Sequence, residues 1–206
     1  MKIKILTLGE LQTNCYLLFD DKTKDGIVID PADEANFLSE QILQLNLNPL
    51  YLIATHGHFD HLLASSELQL AFNIPLLLHS NDLKLAKQMQ KSAQWWLKRK
   101  IIEKAPSQIQ FVKENDRIKI GNIVLKVIHT PGHSPGGICL YVQEEKILFT
   151  GDTLFAQGTP GRTDFAYGSA LQLKRSLKKL SNLPPQTVLY PGHGEISSLG
   201  RSLPRI

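Results

Sequence analysis

Polar and apolar residues alternate along Lys2–Leu8, and short apolar runs recur at Asn14–Phe19, Gly26–Ile29, Leu50–Ala54 and Pro75–Leu78. Alternation with a period of two marks a strand with one covered face, and an apolar run too short for a helix marks a strand buried on both faces. The third strand stops at Asp30-Pro31, because proline gives no ladder hydrogen bond and drives its predecessor to extended geometry. Asp33 reads as an N-cap for a helix running to about Asn46, with Phe37, Leu38, Ile42 and Leu45 at helical spacing. A short helix is expected over Asp60–Ala71. A long one is expected over Asn81–Lys104, where no glycine or proline interrupts. On that helix Trp95 and Trp96 would point about 100° apart, so at most one can lie at the centre of a buried face. One is expected to pack inward; the other makes a lesser core contact or lines a cleft.

Strands resume after Pro106, at Gln108–Val112, Arg117–Ile120, Ile123–His129, Ile138–Val142 and Lys146–Thr150. A loop rich in glycine and proline covers Gly151–Arg162, a basic amphipathic helix Ser169–Leu180, and a last strand Thr187–Leu189. No low-complexity linker divides the chain. Strands and then helices occur in each half, which predicts a single domain of two similar halves, about 1–105 and 106–206, packed face to face with helices outside.

Composition changes this picture little. At 206 residues, with 42% hydrophobic and 20% charged, the chain has ordinary globular proportions. It has no apolar run long enough for a bilayer and no apolar core of a signal peptide at its N-terminus, so a cytoplasmic protein without a membrane partner is expected. The net charge of +4 gathers between Asn81 and Lys104, where seven Lys or Arg face Asp82 and Glu103. Such a stretch reads as a solvated helix face. No nucleic-acid motif stands beside it, and no nucleic-acid partner is expected. Cys15 and Cys139 lie in separate strands and read as buried free thiols.

The chemistry gathers at strand ends. Directly after the strand 50–54 comes Thr55-His56-Gly57-His58-Phe59-Asp60-His61, with three imidazoles and a carboxylate in six positions. Imidazole nitrogen and carboxylate oxygen suit zinc, iron and manganese, and so many of them in one turn would be left unpaired without a cation. His133 in Thr130-Pro131-Gly132-His133-Ser134, Asp152 in Thr150-Gly151-Asp152, and His193 in Pro191-Gly192-His193-Gly194 also follow strands. Any one of these turns alone is a weak signal; four strand ends using five of the seven histidines are a strong one. His79 and His129 close apolar strands and read as structural, and Asp30 as a residue that orients a histidine or holds a turn.

These motifs, together with Thr13-Asn14-Cys15-Tyr16 and Gly151-Asp152-Thr153-Leu154-Phe155, resemble those of the metallo-β-lactamase superfamily across nearly the whole chain. The resemblance implies an α/β fold, a four-layer αββα sandwich of two mixed sheets. It implies two divalent metal ions, zinc first with iron or manganese as alternatives. His56, His58 and His133 would hold one, Asp60, His61 and His193 the other, with Asp152 between them. A hydroxide generated between the ions would attack a carbonyl, aimed by Asp60 as the catalytic residue.

Within the superfamily the chain looks most like the glyoxalase II-like (hydroxyacylglutathione hydrolase-like) thioester hydrolases, whose substrate is a small anionic thioester. Thirteen residues follow His193 (206 − 193), where glyoxalase II proper adds a helical glutathione-binding domain. Arg162 stands near that family's basic substrate residue. Phe155 and Tyr167 are candidate substrate contacts from their nearness to Asp152. The segment Gly161-Arg162-Thr163-Asp164-Phe165 also resembles the persulfide dioxygenases, which hold a single iron at positions matching His56, His133 and Asp152. A non-catalytic metal-binding module is the third reading.

Overall fold

In the strand β2 (Thr13–Phe19) every side chain is buried, yet successive ones enter different cores. Cys15 and Leu17 pack among residues of the first-half helices, while Tyr16 and Leu18 pack against the second half. Successive Cβ atoms point to opposite faces of a strand, so a strand apolar on both faces must be covered on both. Ile138, Leu140 and Val142 of β9 (Ile138–Val142) face the same central core from the other side, and Cys139 and Tyr141 face away. Three apolar layers thus separate four layers of structure. The computed structural model describes residues 1–203.

The first sheet has the order β1 (Lys2–Leu8), β2, β3 (Asp25–Ile29), β4 (Asn48–Ile53), β5 (Leu76–His79), β6 (Ile109–Val112). It is antiparallel through β3 and parallel from there on. The second sheet comprises β7 (Arg117–Ile120), β8 (Ile123–His129), β9, β10 (Ile147–Gly151), β11 (Val188–Pro191) and β12 (Ser197–Ser198). Only β10 and β11 pair in parallel there. Helices α1 (Ala35–Gln44), α2 (Ser65–Phe72), α3 (Leu83–Lys87) and α4 (Met89–Leu97) supply residues to the outer core of the first sheet. Helix α5 (Ala170–Leu180) and the short α6 (Leu199–Ser202) supply the outer core of the second. This is the αββα sandwich with two mixed sheets. Among the described residues no helix is long and apolar enough to cross a membrane.

Several elements depart from the sequence expectations. The strand 108–112 pairs in parallel with β5, so the chain crosses between sheets after Val112 rather than near residue 105. The long helix expected over Asn81–Lys104 is instead a 3₁₀ turn, α3 and α4, broken at Gln88. Lys98 then takes a left-handed backbone, and Gln90 Nε2 donates to Ile101 O at 3.0 Å. Folding back lets Ile101 enter the outer core, and that burial outweighs the local preference for more helix. On α4 the buried residues are Met89 and Ala93, with Leu97 packed partly against the core. Neither tryptophan therefore packs inward: Trp95 is 64% and Trp96 46% exposed. The helix expected from Asp60 begins at Ser65, after a tight turn over Phe59–His61. Asp33 does not cap α1; Glu34 precedes it in left-handed geometry, its N–H donating to Asp33 Oδ1. Phe37 leaves 38% of its surface in water. The hairpin strand β12 and helix α6 carry too weak a pattern to be expected.

Both thiols are free and fully buried, Cys15 on the helix side of the first sheet and Cys139 on that of the second. Burial pushes Cys139 up to about 11 and Cys15 higher still, which keeps both protonated.

Candidate metal centre

The strands β3, β4, β8, β10 and β11 all deliver their C-terminal ends to one edge of the sandwich, where their loops meet. A tight turn follows β4, with the His61 N–H donating to His58 O at 3.2 Å. Adjacent side chains on it diverge, and Asp60 and His61 meet by reaching round one cavity from different sides, Asp60 Oδ2 lying 3.4 Å from His61 Nε2. Gly151 ends β10 with a φ of +47°, and a Cβ there would run into Thr55, so the approach of the two halves requires glycine. One bond made across the edge is from Ile138 N–H to Thr55 O, at 2.8 Å.

Seven side chains converge there. His58 Nδ1 lies 2.9 Å from His56 Nε2 and 3.0 Å from His133 Nε2. Asp60 Oδ2 lies 3.4 Å from His61 Nε2 and 3.3 Å from His193 Nε2. Asp152 stands between these groups. Its Oδ2 is 3.5 Å from His133 Nε2, 3.9 Å from His56 Nε2 and 3.7 Å from His193 Nε2, and its Oδ1 is 3.6 Å from His61 Nε2. Three sets, His56/His58/His133, His56/His61/Asp152 and Asp60/His61/His193, each have their ligand atoms close enough for a single ion.

The polar groups behind the histidines decide which nitrogen faces inward. His133 Nδ1 lies 2.8 Å from Arg162 O, and His193 Nδ1 lies 3.1 Å from Leu11 O. A carbonyl accepts only, so each Nδ1 carries the proton and each Nε2 presents a lone pair to the cavity. His61 Nδ1 meets Asp30 Oδ2 at 3.0 Å. Asp30, itself fully buried, also accepts Thr55 N–H at 2.7 Å and Thr55 Oγ1 at 2.8 Å. His58 Nε2 is 2.7 Å from the Tyr167 hydroxyl. Inside the cavity His61 Nε2 and Asp152 Oδ1 are buried with no hydrogen-bond partner. Five imidazoles and two carboxylates converging on one cavity, with two of their atoms lacking a protein partner, form a donor set suited to divalent cations.

Electrostatics sort the two triads. Burial, reinforced by the other histidines, holds His56 well below its ordinary value and lowers His58 to about 3, keeping both in the neutral form that binds metal. Burial also opposes charge on His61, but Asp60, Asp30 and Asp152 outweigh it and raise His61 to about 10. Against the same burial, His61 and His193 hold the Asp60 carboxyl well below the usual carboxylate range. Burial, with Asp82 nearby, pushes Tyr167 up to about 12, so its phenol stays protonated.

The three residues expected to touch substrate border the cavity. Phe155 lies 6.2 Å from the His193 ring, and Tyr167 abuts His58. Arg162 touches the cavity through its backbone carbonyl, while its half-exposed guanidinium pairs with Asp164 at 2.7 and 2.6 Å. Sequence reasoning passed over two supports. Asp82, fully buried, accepts Gly57 N–H at 2.8 Å, Ser134 Oγ at 2.7 Å and Gly136 N–H at 2.6 Å, tying the first histidine loop to the second. Asn14 Nδ2 donates to Pro191 O at 3.1 Å and Gly194 O at 2.9 Å, clamping the turn that carries His193. Asn14 lies in the Thr13–Tyr16 motif, but for Asp82 only its place just past a buried strand could have hinted at the role. His79 and His129 stack in parallel at 4.0 Å, away from the seven.

The family model described as the Metallo-beta-lactamase superfamily matches residues 8–193. Hydroxyacylglutathione hydrolase GloC of Haemophilus influenzae is 35% identical over 203 residues, 98% of this chain and 94% of that protein. The mitochondrial persulfide dioxygenase ETHE1 of Bos taurus is 30% identical over 183 residues, 88% of this chain and 63% of that protein. Among solved structures, TTHA1623 in a di-iron-bound form aligns with a TM-score of 0.88 at 36% identity, covering 98% of this chain and all of that one.

Proposed function

Because the chain belongs to the metallo-β-lactamase superfamily, we propose that it is a dinuclear metallohydrolase that cleaves a small anionic thioester, in the manner of the hydroxyacylglutathione hydrolases. The observation that carries this reading is the pair of triads with Asp152 in reach of both. His56, His58 and His133 would hold one ion and Asp60, His61 and His193 the other. Two divalent ions, zinc in our reading, supply Lewis acidity for the acyl carbonyl and bring the pKa of water toward neutrality. The two irons of TTHA1623 support a pair of ions of some kind, and the similarity to GloC, a hydroxyacylglutathione hydrolase, supports a thioester.

The chain's own groups do the rest. Asp60, kept ionised by His61 and His193 and steadied by a hydrogen bond from Thr13 Oγ1 at 3.2 Å, accepts a hydrogen bond from the attacking water and aims it at the acyl carbon. With His58 presenting Nδ1 inward, its Nε2–H donates to the Tyr167 oxygen, which leaves the phenol proton free for the developing oxyanion. Phe155 and Phe165 shield the cavity mouth. The test is ion content of the purified protein with hydrolysis of S-lactoylglutathione. Two ions per chain and turnover are expected; one ion without thioesterase activity overturns the reading.

The segment Gly161–Phe165 and the similarity to ETHE1 favour a second reading, iron-dependent persulfide oxidation through His56, His133 and Asp152. It stands or falls on oxygen uptake with glutathione persulfide after loading with ferrous iron.

A further inference from the structure

From the histidines outward, a line of aromatic and cationic side chains leads to α4. The Phe165 ring is 5.1 Å from His58 and stacks on Tyr167 at 5.2 Å. The Arg162 guanidinium lies 4.5 Å above Phe165 and 5.9 Å from the Trp96 ring. Trp96 meets Trp95 edge to face at 5.1 Å, and Lys98 Nζ sits 4.2 Å over Trp95. Successive steps span 4.2–5.9 Å to ring centroids, within the range of ring–ring and cation–π interaction, so the cavity mouth and the end of α4 form one surface.

Three features set this surface apart from an ordinary helix face. Both tryptophans leave about half or more of their area in water, where large rings gain most from being covered. Arg99 is engaged by Glu10 and Asp33, and Arg162 by Asp164, whereas Lys98 pairs with no carboxylate among the described residues. Its charge is held over an indole face by the left-handed turn that ends α4.

We propose that Trp95, Trp96 and Lys98, continued inward by Arg162 and Phe165, form the subsite for the thiol-carrier arm of the substrate. The arm that fits is negatively charged and made of flat groups, carboxylates and amides of a peptide thiol or the phosphates and base of a nucleotide thiol. Lys98 meets the charge, the indoles cover the flat groups, and Arg162, neutralised by Asp164, stacks between Trp96 and Phe165 on the way to the histidines. This rests on the thioester reading above.

The only two tryptophans of the chain are these, so intrinsic fluorescence reports on the subsite without turnover. The metal-loaded protein is titrated with reduced glutathione, with coenzyme A and with N-acetylcysteamine, which has a thiol but no anionic arm. Saturable quenching by one or both anionic thiols, weakened by salt and absent with N-acetylcysteamine, is expected. The tighter of the two names the carrier. Equal quenching by all three, or none, overturns the subsite even where thioesters are hydrolysed. In kinetics, Trp96→Ala and Lys98→Glu should each raise KM for the preferred carrier thioester about tenfold with kcat within twofold. The preference over S-acetyl-N-acetylcysteamine should shrink by the same factor. An unchanged KM in both variants overturns the assignment. A wild type that cleaves no thioester, yet shows the selective quenching, overturns the function and leaves the subsite standing.

Discussion

At the end of the sandwich away from the histidines, Asp20 follows β2 and reaches across to the turn between β7 and β8. Its carboxylate accepts Asn122 N–H at 2.9 Å, Asn122 Nδ2 at 2.8 Å and Lys22 N–H at 2.9 Å. At the opposite end Asp152 also stands where the halves meet, but one of its oxygens is buried with no hydrogen-bond partner, 3.6 Å from His61 Nε2. Both carboxylates face the other half of the molecule. One is supplied with donors by the protein and closes the structure, whereas the other keeps an oxygen that no backbone or side-chain donor reaches. Burial without a partner does not mark function by itself, since the hydroxyls of Ser65, Thr187 and Ser202 share it; Asp152 differs in that its unpartnered oxygen lies among imidazoles. Asp82 sharpens the contrast, because it lies beside the histidine loops and is nonetheless fully supplied.

The largest effects should come from the unsatisfied end. Asp60→Ala is expected to lower turnover by about 10²–10⁴-fold with circular dichroism unchanged, and a correctly metallated variant with normal turnover would remove Asp60 from the chemistry. Asp152→Asn should cost at least as much and reduce ion content. Parity with wild type in every hydrolytic assay would favour a non-catalytic metal-binding module.

Next is Asp82→Ala, measured on chelator-treated protein so that metal plays no part. It strands three buried donors, a loss on the order of 3–5 kcal/mol, or about 10 °C in Tm for a chain of this size. A shift under about 2 °C would mean that Asp82 is as dispensable as a surface acid. Chelation of the wild type should itself lower Tm, since ions at about a hundredfold over Kd stabilise by about 2.7 kcal/mol. An identical Tm with and without ions would show that the cavity holds none.

The mildest effect belongs to the far end. Hydrogen bonds from Asn122 and Lys22 hold the Asp20 carboxyl far below its ordinary value near 4. Its contribution is therefore complete above pH 4 and is lost as pH falls below that toward its folded value. Asp20→Asn should flatten the acid limb of the stability profile there and leave turnover alone. An acid limb as steep as that of the wild type would assign the acid sensitivity to other carboxylates.

The seven side chains that converge at the sheet edge were legible as candidates in the chain because strand-end motifs are local. His56 through His61, His133, Asp152 and His193 each follow an apolar strand, with a glycine or proline in all four turns. The strands themselves were legible for the same reason, since a period of two requires only near neighbours. What the chain did not reveal depends on partners distant in sequence. Asp82 looks like any acid in a basic stretch until Gly57, Ser134 and Gly136 arrive around it. The strand 108–112 could have joined either sheet, and only parallel pairing with β5 decides it.

Periodicity and motif, then, determined most of the strands and the seven candidate donors at their ends, because backbone geometry turns spacing directly into faces and ends. Only the tertiary structure decided that the run 81–104 breaks at Gln88 and Lys98, that both tryptophans stay in water, and which nitrogen each histidine turns inward. Those outcomes hang on long-range burial of Ile101 and on carbonyls such as those of Arg162 and Leu11, which no local pattern encodes.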